Sequence, residues 1–322
     1  MATKRKIGKS DLEVYPFALG GNVFGWTADE KTSFDILDKY TDAGLNFIDT
    51  ANIYSAWVDG NKGGESETII GKWLKKTGKR DSIVLTTKVG GQFSPDNKGL
   101  KKDYILHQAE DSLRRLQTDY IDLYFTHFDD LSTPIEETLE AYAQLVKEGK
   151  VRYIGTSNMS PERIIESLEK SKKNNFPEYV CLQPEYNLYD RTRYETEYEP
   201  IAEKYQLGVI SYYSLASGFL TGKYSFDKPA EGQRSGSVNL YMNERGKIII
   251  EALSQVATQL NATPAQVALA WLIARPSITA PIASVSKISQ LDILKATDLK
   301  LDNEAIEKLN NASKYVKPFN LC

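Results

Sequence analysis

Eight short apolar runs, separated by stretches of helical periodicity, limit what this chain can fold into. They are Phe17–Gly20, Asn46–Asp49, Ile83–Lys88, Ile121–His127, Val151–Gly155, Tyr179–Leu182, Val209–Tyr212 and Ile278–Ile282. Strand followed by helix, repeated, is the pattern of a parallel sheet with helices packed on it. Helix starts are legible between the runs. Thr133-Pro134-Ile135-Glu136 and Thr263-Pro264-Ala265-Gln266 each combine a capping box with proline at the first helical position. Ile135, Leu139, Tyr142 and Val146 then recur on one helical face.

The alternation suits either an open doubly wound sheet or a closed barrel. No Gly-x-Gly-x-x-Gly follows a strand, and the polar residues able to do chemistry stand at the ends of many successive strands, which favours the barrel. The expected fold is a (β/α)8 TIM barrel. Lys4–Tyr15, with Gly8-Lys9-Ser10 as a turn, reads as an N-terminal β-hairpin closing its floor. No Pro/Gly/Ser-rich linker, low-complexity tract or repeat divides the chain, so residues 1–322 are expected to form a single domain. Tyr224–Gly246 is the one long polar segment without clear periodicity, the kind of loop that often serves as a lid.

Composition narrows the class. With 41% hydrophobic and 26% charged residues the chain has a globular balance. A net charge of -3 offers no basic field to follow a phosphate backbone, which argues against nucleic acid. Lys4-Arg5-Lys6 reads as a solvated strand edge. The two cysteines, Cys181 and Cys322, make no disulfide scaffold. No run reaches the roughly 18 apolar residues of a membrane span, and the polar N-terminus has no signal-peptide apolar region. The expectation is a cytoplasmic protein without membrane partners.

Four residues explain one another. Asp49 and Tyr54 fall at and just after the second run, Lys88 ends the third and His127 ends the fourth. A phenol of reference pKa about 10 is a poor acid or base near neutrality. A lysine held close favours its phenolate, and a carboxylate can keep that lysine charged and oriented. His107, the other histidine, sits in a segment whose Ile105, Leu106, Ala109, Leu113 and Leu116 make a helix face, and is expected on the surface. With no ligand-spacing motif, no metal is expected.

At these residues the chain resembles the aldo-keto reductases, whose catalytic Asp, Tyr, Lys and His match Asp49, Tyr54, Lys88 and His127. Further matching segments, in the same order, are Gly64-Glu65-Ser66-Glu67, Asp119–Tyr124, Gly155-Thr156-Ser157-Asn158, Gln183–Asn187 and Leu220-Thr221-Gly222-Lys223-Tyr224. The resemblance implies an NADPH-dependent reduction of an aldehyde or ketone, NADH being possible. Tyr54 would be the general acid, Lys88 would depress its pKa, Asp49 would hold Lys88, and His127 would orient the carbonyl.

The cofactor residues follow from the same resemblance. Ser157, Asn158 and Gln183 match positions that bond the nicotinamide carboxamide, and Tyr212 matches an aromatic that stacks on the ring. Tyr213, Ser214, Leu215, Ala216 and Gly218 would form the loop near the pyrophosphate, with Lys223 and Arg234 as cations over the phosphates. Gly21, Asn22 and Asp49 are counted with them. At the adenine end Ser284, Ser286 and Gln290 are kept, but the arginine many relatives use for the 2′-phosphate is missing, leaving Lys287 as the nearby cation. The serines also suit a helix start. Trp26, Trp57, Phe93 and Phe128, just beyond strand ends, are candidates for the substrate pocket.

The chain also resembles the potassium-channel β-subunits within this superfamily, so a nicotinamide-nucleotide-binding regulatory subunit is the alternative. That branch has an asparagine where this chain has His127, which favours an enzyme. A phosphate-handling barrel lyase or isomerase would leave the Tyr212 and Gln183 matches without a role.

Overall fold

The computed structural model describes residues 3–94, 97–233 and 235–314. Eight parallel strands close into a barrel in sequence order: β3 (Ala18–Gly20), β4 (Phe47–Asp49), β5 (Val84–Val89), β6 (Ile121–Thr126), β7 (Val151–Ser157), β8 (Tyr179–Gln183), β9 (Gly208–Ser211) and β10 (Ala280–Ala283), the last pairing back onto β3. The architecture is the expected (β/α)8 barrel, and each strand lies within one or two residues of its apolar run. Preceding it, β1 (Arg5–Lys6) and β2 (Glu13–Val14) pair antiparallel as the expected hairpin. Gly8 turns at φ 54, and a Cβ there would come 2.2 Å from the Val180 carbonyl oxygen. Only glycine lets the turn sit this tightly under β8.

Around the barrel run α1 (Glu30–Asp42), α2 (Glu65–Thr77), α3 (Lys102–Leu116), α4 (Ile135–Lys147), α5 (Pro161–Asn174), α6 (Glu199–Tyr205), α7 (Ser235–Asn239), α8 (Glu244–Gln259), α9 (Pro264–Ala274) and α10 (Asn303–Ala312). Asp29, Ser160 and Asp302 cap α1, α5 and α10 through backbone amides at the third helical position. The box at Thr263 and Gln266 forms as read. The one at Thr133 does not: α4 starts at Ile135 with Pro134 as its N-cap. The Thr133 hydroxyl donates instead to Asp130 at 2.6 Å, a carboxylate that also holds Ser132 and the Leu100 amide. A charged acceptor outcompetes the helix start for that hydroxyl. Segment 224–246 is less irregular than expected, since it contains α7 and the first turn of α8, capped by Asn243. Among the described residues no helix is long and apolar enough to cross a membrane.

Strand alternation sorts the barrel into layers. Phe47, Val84, Leu123, Phe125, Cys181, Ile210 and Ala280 form an inner core together with Ile7, Leu12 and Val14 of the hairpin. Phe125 fills the space that Gly155 leaves empty, where a Cβ would come 2.4 Å from its ring. Farther along the same strands the inward positions turn polar: Asp49 follows Phe47, Thr86 and Lys88 follow Val84, and Gln183 follows Cys181. The hairpin seals the strand starts with apolar side chains, so polar chemistry is confined to the strand ends, where active sites of this fold lie.

Candidate active site

Asp49 is 1% exposed at the end of β4, and Lys88 is fully buried in β5. The Lys88 ammonium donates to Asp49 Oδ2 at 2.7 Å, to the Thr50 carbonyl at 2.7 Å and to the Tyr54 hydroxyl at 2.9 Å. Its three hydrogens are therefore all engaged. Asp49 also accepts from the Thr86 hydroxyl at 2.7 Å and from Gln183 Nε2 at 3.0 Å. The barrel's closure alone brings β8 to this carboxylate, so the sequence gives no hint of the Gln183 bond. Thr86 was missed as well, although two-residue spacing from Lys88 puts both on one strand face.

Tyr54 lies beyond β4, partly exposed. Since the ammonium has no lone pair, the bond between them has one sense: Tyr54 accepts, and its own proton is left to another acceptor, Asp49 among them. Burial, followed by the negative charge of Asp49, holds the Tyr54 phenol well above its ordinary pKa. This differs from the expectation that Lys88 depresses it. Desolvation comes first, and the Asp49 carboxylate adds to it both by its charge and as a hydrogen-bond partner of the phenol. Lys88 itself is pushed down by burial and back up by Asp49.

His127 follows β6, with its backbone amide on the Val89 carbonyl at 2.7 Å. Its ring stands 5.9 Å from the Tyr54 ring, centroid to centroid. Burial, then the Lys88 charge, holds the imidazole well below its usual pKa, so it is neutral. Nδ1 is buried without a partner. An orphaned acceptor is less costly than an orphaned N–H, which assigns the single proton to Nε2. A phenol proton and an imidazole N–H thus occur side by side.

Aromatic rings continue the wall. Trp57 lies 6.1 Å from Tyr54, Trp26 5.7 Å from Trp57, and Phe128 4.6 Å from His127. Trp57 and Phe128 remain about half exposed. Phe93 packs against Gly63, on the loop that carries Tyr54 and Trp57, where a Cβ would come 2.4 Å from its ring. His107 lies on the α3 surface, 3.4 Å from Asp111.

The residues matched to the nicotinamide share a wall. Asn158, Gln183 and Tyr212 line a cavity of about 420 Å³ together with Glu185, Tyr189, Arg193 and Tyr198, the last three not anticipated from sequence. Asn158 donates to the His127 carbonyl and to Ser157, and accepts from the Tyr212 hydroxyl. Ser157 donates to the Gln183 carbonyl. Gln183 spends one Nε2 hydrogen on Asp49, leaving its second N–H and its oxygen for a ligand. A free amide edge beside a tyrosine ring fits a carboxamide on an aromatic ring. Gly21 lies where a Cβ would come 2.8 Å from Ser66 Oγ and 3.2 Å from the Asp49 carbonyl oxygen.

After β9 the chain takes left-handed backbone at Tyr213, Ala216, Ser217 and Gly218. Non-glycine residues held there store strain, a frequent mark of ligand-binding loops. Ser214 donates to the Ser211 carbonyl and Leu215 is partly buried. Lys223 is exposed, its ammonium 4.9 Å from the Tyr224 ring. Arg234 lies outside the described residues.

Farther along, Ser284 donates to Asn22 at 2.5 Å, tying β10 to the turn after β3. Gln290 Oε1 accepts from the amides of Ser286 and Lys287. The helix-start reading of this segment therefore holds for Gln290, whose oxygen is committed to the turn. The Lys287 side chain is exposed, and no described carboxylate pairs with it.

Known proteins are similar to this chain over nearly its whole length. The model of the Aldo/keto reductase family matches residues 16–314. An uncharacterized oxidoreductase of Bacillus subtilis (strain 168), YrpG, is 39% identical over 313 residues, covering 95% of this chain and 94% of that protein. A probable voltage-gated potassium channel subunit beta of Oryza sativa subsp. japonica is 32% identical, covering 95% and 94%. A putative subunit of the same kind from Schizosaccharomyces pombe (strain 972 / ATCC 24843) is 34% identical, covering 95% and 92%.

Proposed function

The chain belongs to the aldo/keto reductase family, a family of oxidoreductases, and on that premise we propose that it reduces a small aldehyde or ketone to the alcohol, with NADPH as cofactor. The observation carrying this reading is the direction of one hydrogen bond. Lys88 donates to Tyr54, so the Tyr54 proton is available to a substrate oxygen. Bound NADPH would supply the hydride. Ser157, Asn158, Gln183 and Tyr212 would hold its nicotinamide end, the 213–218 loop and Lys223 its phosphates, and Lys287 its 2′-phosphate.

The chain's own groups manage the charge that develops on the carbonyl oxygen. His127 donates from Nε2 and orients the carbonyl, while Tyr54 donates its proton. The phenolate left behind accepts from Lys88, which keeps Asp49 as counter-charge. Burial and Asp49 hold the resting phenol above its ordinary pKa, so proton donation would depend on Lys88 stabilising the phenolate as it forms. Trp26, Trp57 and Phe128 would wall the substrate and exclude water.

The relatives with channel-subunit names support a second reading, a nucleotide-binding regulatory protein with little turnover. His127 beside Tyr54 favours turnover. Following NADPH consumption at 340 nm with a panel of simple aldehydes and ketones tests the choice. Tight NADPH binding without consumption of any carbonyl would favour the regulatory reading. Failure to bind either dinucleotide would remove both.

A further inference from the structure

The segment Gly64-Glu65-Ser66-Glu67 has no part in the reaction just proposed, yet it anchors both strands that carry the catalytic pair. Ser66, fully buried on α2, donates to the Gly21 carbonyl at 2.8 Å and lies 2.8 Å from the Thr50 hydroxyl, the residue whose carbonyl receives Lys88. Glu67, also fully buried, accepts from Thr87 at 2.5 Å and from Arg115 Nε at 2.7 Å. Alternation along β5 points Thr87 toward the helices and Lys88 into the barrel, so Glu67 stands on the other side of the wall from the ammonium.

Two glycines permit this arrangement. At Gly64, φ 84, a Cβ would come 2.4 Å from Arg115 Cδ, so the guanidinium reaches Glu67 only because that position has no side chain. At Gly71 a Cβ would come 2.0 Å from the Arg115 carbonyl oxygen, so glycine also sets the close approach of α2 and α3. A fully buried carboxylate is costly unless paired and hydrogen-bonded, and the chain keeps one here one residue away from its catalytic lysine.

We propose that Glu67 is a positioning residue for the reaction: a second counter-charge, behind the barrel wall, that keeps Lys88 protonated and donating to Tyr54. The charged and titratable groups facing Lys88 are Asp49, Tyr54 and His127 on the barrel side, with Glu67 beyond the wall. Those facing Glu67 are Lys88, Arg115 on α3 and Tyr124 on β6. Glu67 raises the Lys88 pKa against the pull of burial. Arg115, bonded to Glu67 and opposite in charge, should act on Lys88 in the opposite sense, and this gives the inference a test of sign.

The inference rests on Lys88 acting through Tyr54, so its test reads Lys88 directly. Lysine labelled at Cε is titrated by NMR in the full chain, with the Lys88 signal assigned by its loss in Lys88→Met. Removing a charge across a low-dielectric wall should move the titration by about one pH unit. Glu67→Gln should lower it, Arg115→Gln should raise it, and the alkaline limb of carbonyl reduction should follow each. Thr87→Val keeps the charge and loses only the hydrogen bond, so it should leave the Lys88 titration within a few tenths of a unit.

Shifts of one sign in both charge variants, or none in either, would reduce Glu67 to a packing role and overturn the proposal. If Glu67→Gln does not fold, Arg115→Gln compared with Glu67→Gln/Arg115→Gln isolates the same carboxylate. The double variant must then titrate lower. Opposite shifts in a chain that consumes no carbonyl would uphold the inference and sink the reductase reading.

Discussion

Replacing Lys88 with methionine tests whether the site is built around one buried charge pair. Lys88 is 0% and Asp49 1% exposed, so the substitution leaves a carboxylate with nowhere to be hydrated. Breaking a buried pair from one side costs about 3 to 5 kcal/mol. Asp49 keeps two donors, Thr86 and Gln183, which puts its share at the low end. The Thr50 carbonyl, which accepts from Lys88, loses that donor, at a further cost of about 1 kcal/mol or more. The expected loss is therefore about 4 kcal/mol.

Adding Asp49→Asn removes the orphaned charge. The double variant should recover about 2 kcal/mol of the loss while regaining no activity, since the donor to Tyr54 is still absent. Urea unfolding at neutral pH, followed by tryptophan fluorescence, gives the stabilities, and NADPH consumption gives the rates. A double variant no more stable than Lys88→Met would show that the two charges are not energetically coupled and would refute the pair as the organising interaction.

Four further outcomes are expected. Tyr54→Phe should lower carbonyl reduction by about a hundredfold or more, the scale of a lost general acid, with cofactor affinity kept within a few-fold by fluorescence titration. His127 is held neutral, with its folded pKa below the unfolded value of about 6.5, so the unfolded chain takes up a proton first and stability falls as pH drops below about 6.5. The slope is at most about 1.4 kcal/mol per pH unit, and unfolding of His127→Gln between pH 7 and 5 should lose it. Gly71→Ala should destabilise by about 2 kcal/mol or more, because the obstructing atom is backbone; a melting temperature equal to wild type would contradict the tight α2–α3 approach. Lys287→Ala should weaken NADPH about tenfold and leave NADH nearly unchanged, whereas equal losses would show that Lys287 does not read the 2′-phosphate.

The barrel was legible because its strands are short apolar runs whose count and spacing survive any error at their ends. The ends themselves depend on pairing: β7 continues past Gly155 to Ser157 because it has β6 and β8 to pair with there. Asp49, Tyr54, Lys88 and His127 could be nominated by residue type at strand ends. What held them could not, because the Gln183 bond crosses 134 positions and needs the barrel closed to exist. The direction of the Tyr54 shift was also out of reach, since proximity to lysine can be inferred from order along the chain but depth of burial cannot. Thr133 was misread for a local reason, a carboxylate three residues upstream that the capping pattern ignores.

A buried ion pair is weak evidence of stability, and a barrel top filled with apolar side chains would hold together at least as well. The pair at Asp49 and Lys88 therefore calls for another explanation, and its bonding offers one. An ammonium with one hydrogen to spare could rotate away from Tyr54 and leave the phenol without a donor. With all three hydrogens engaged, the ammonium fixes the phenol as acceptor toward Lys88, so the Tyr54 proton is left to Asp49 or to a carbonyl oxygen that enters the site. The same burial that raises the phenol's pKa keeps that proton in place until a carbonyl oxygen takes it. The site gives up stability for a phenol that accepts from its lysine, and the Lys88→Met and Asp49→Asn measurements separate those two quantities: part of the stability should return with the second substitution, and turnover should not.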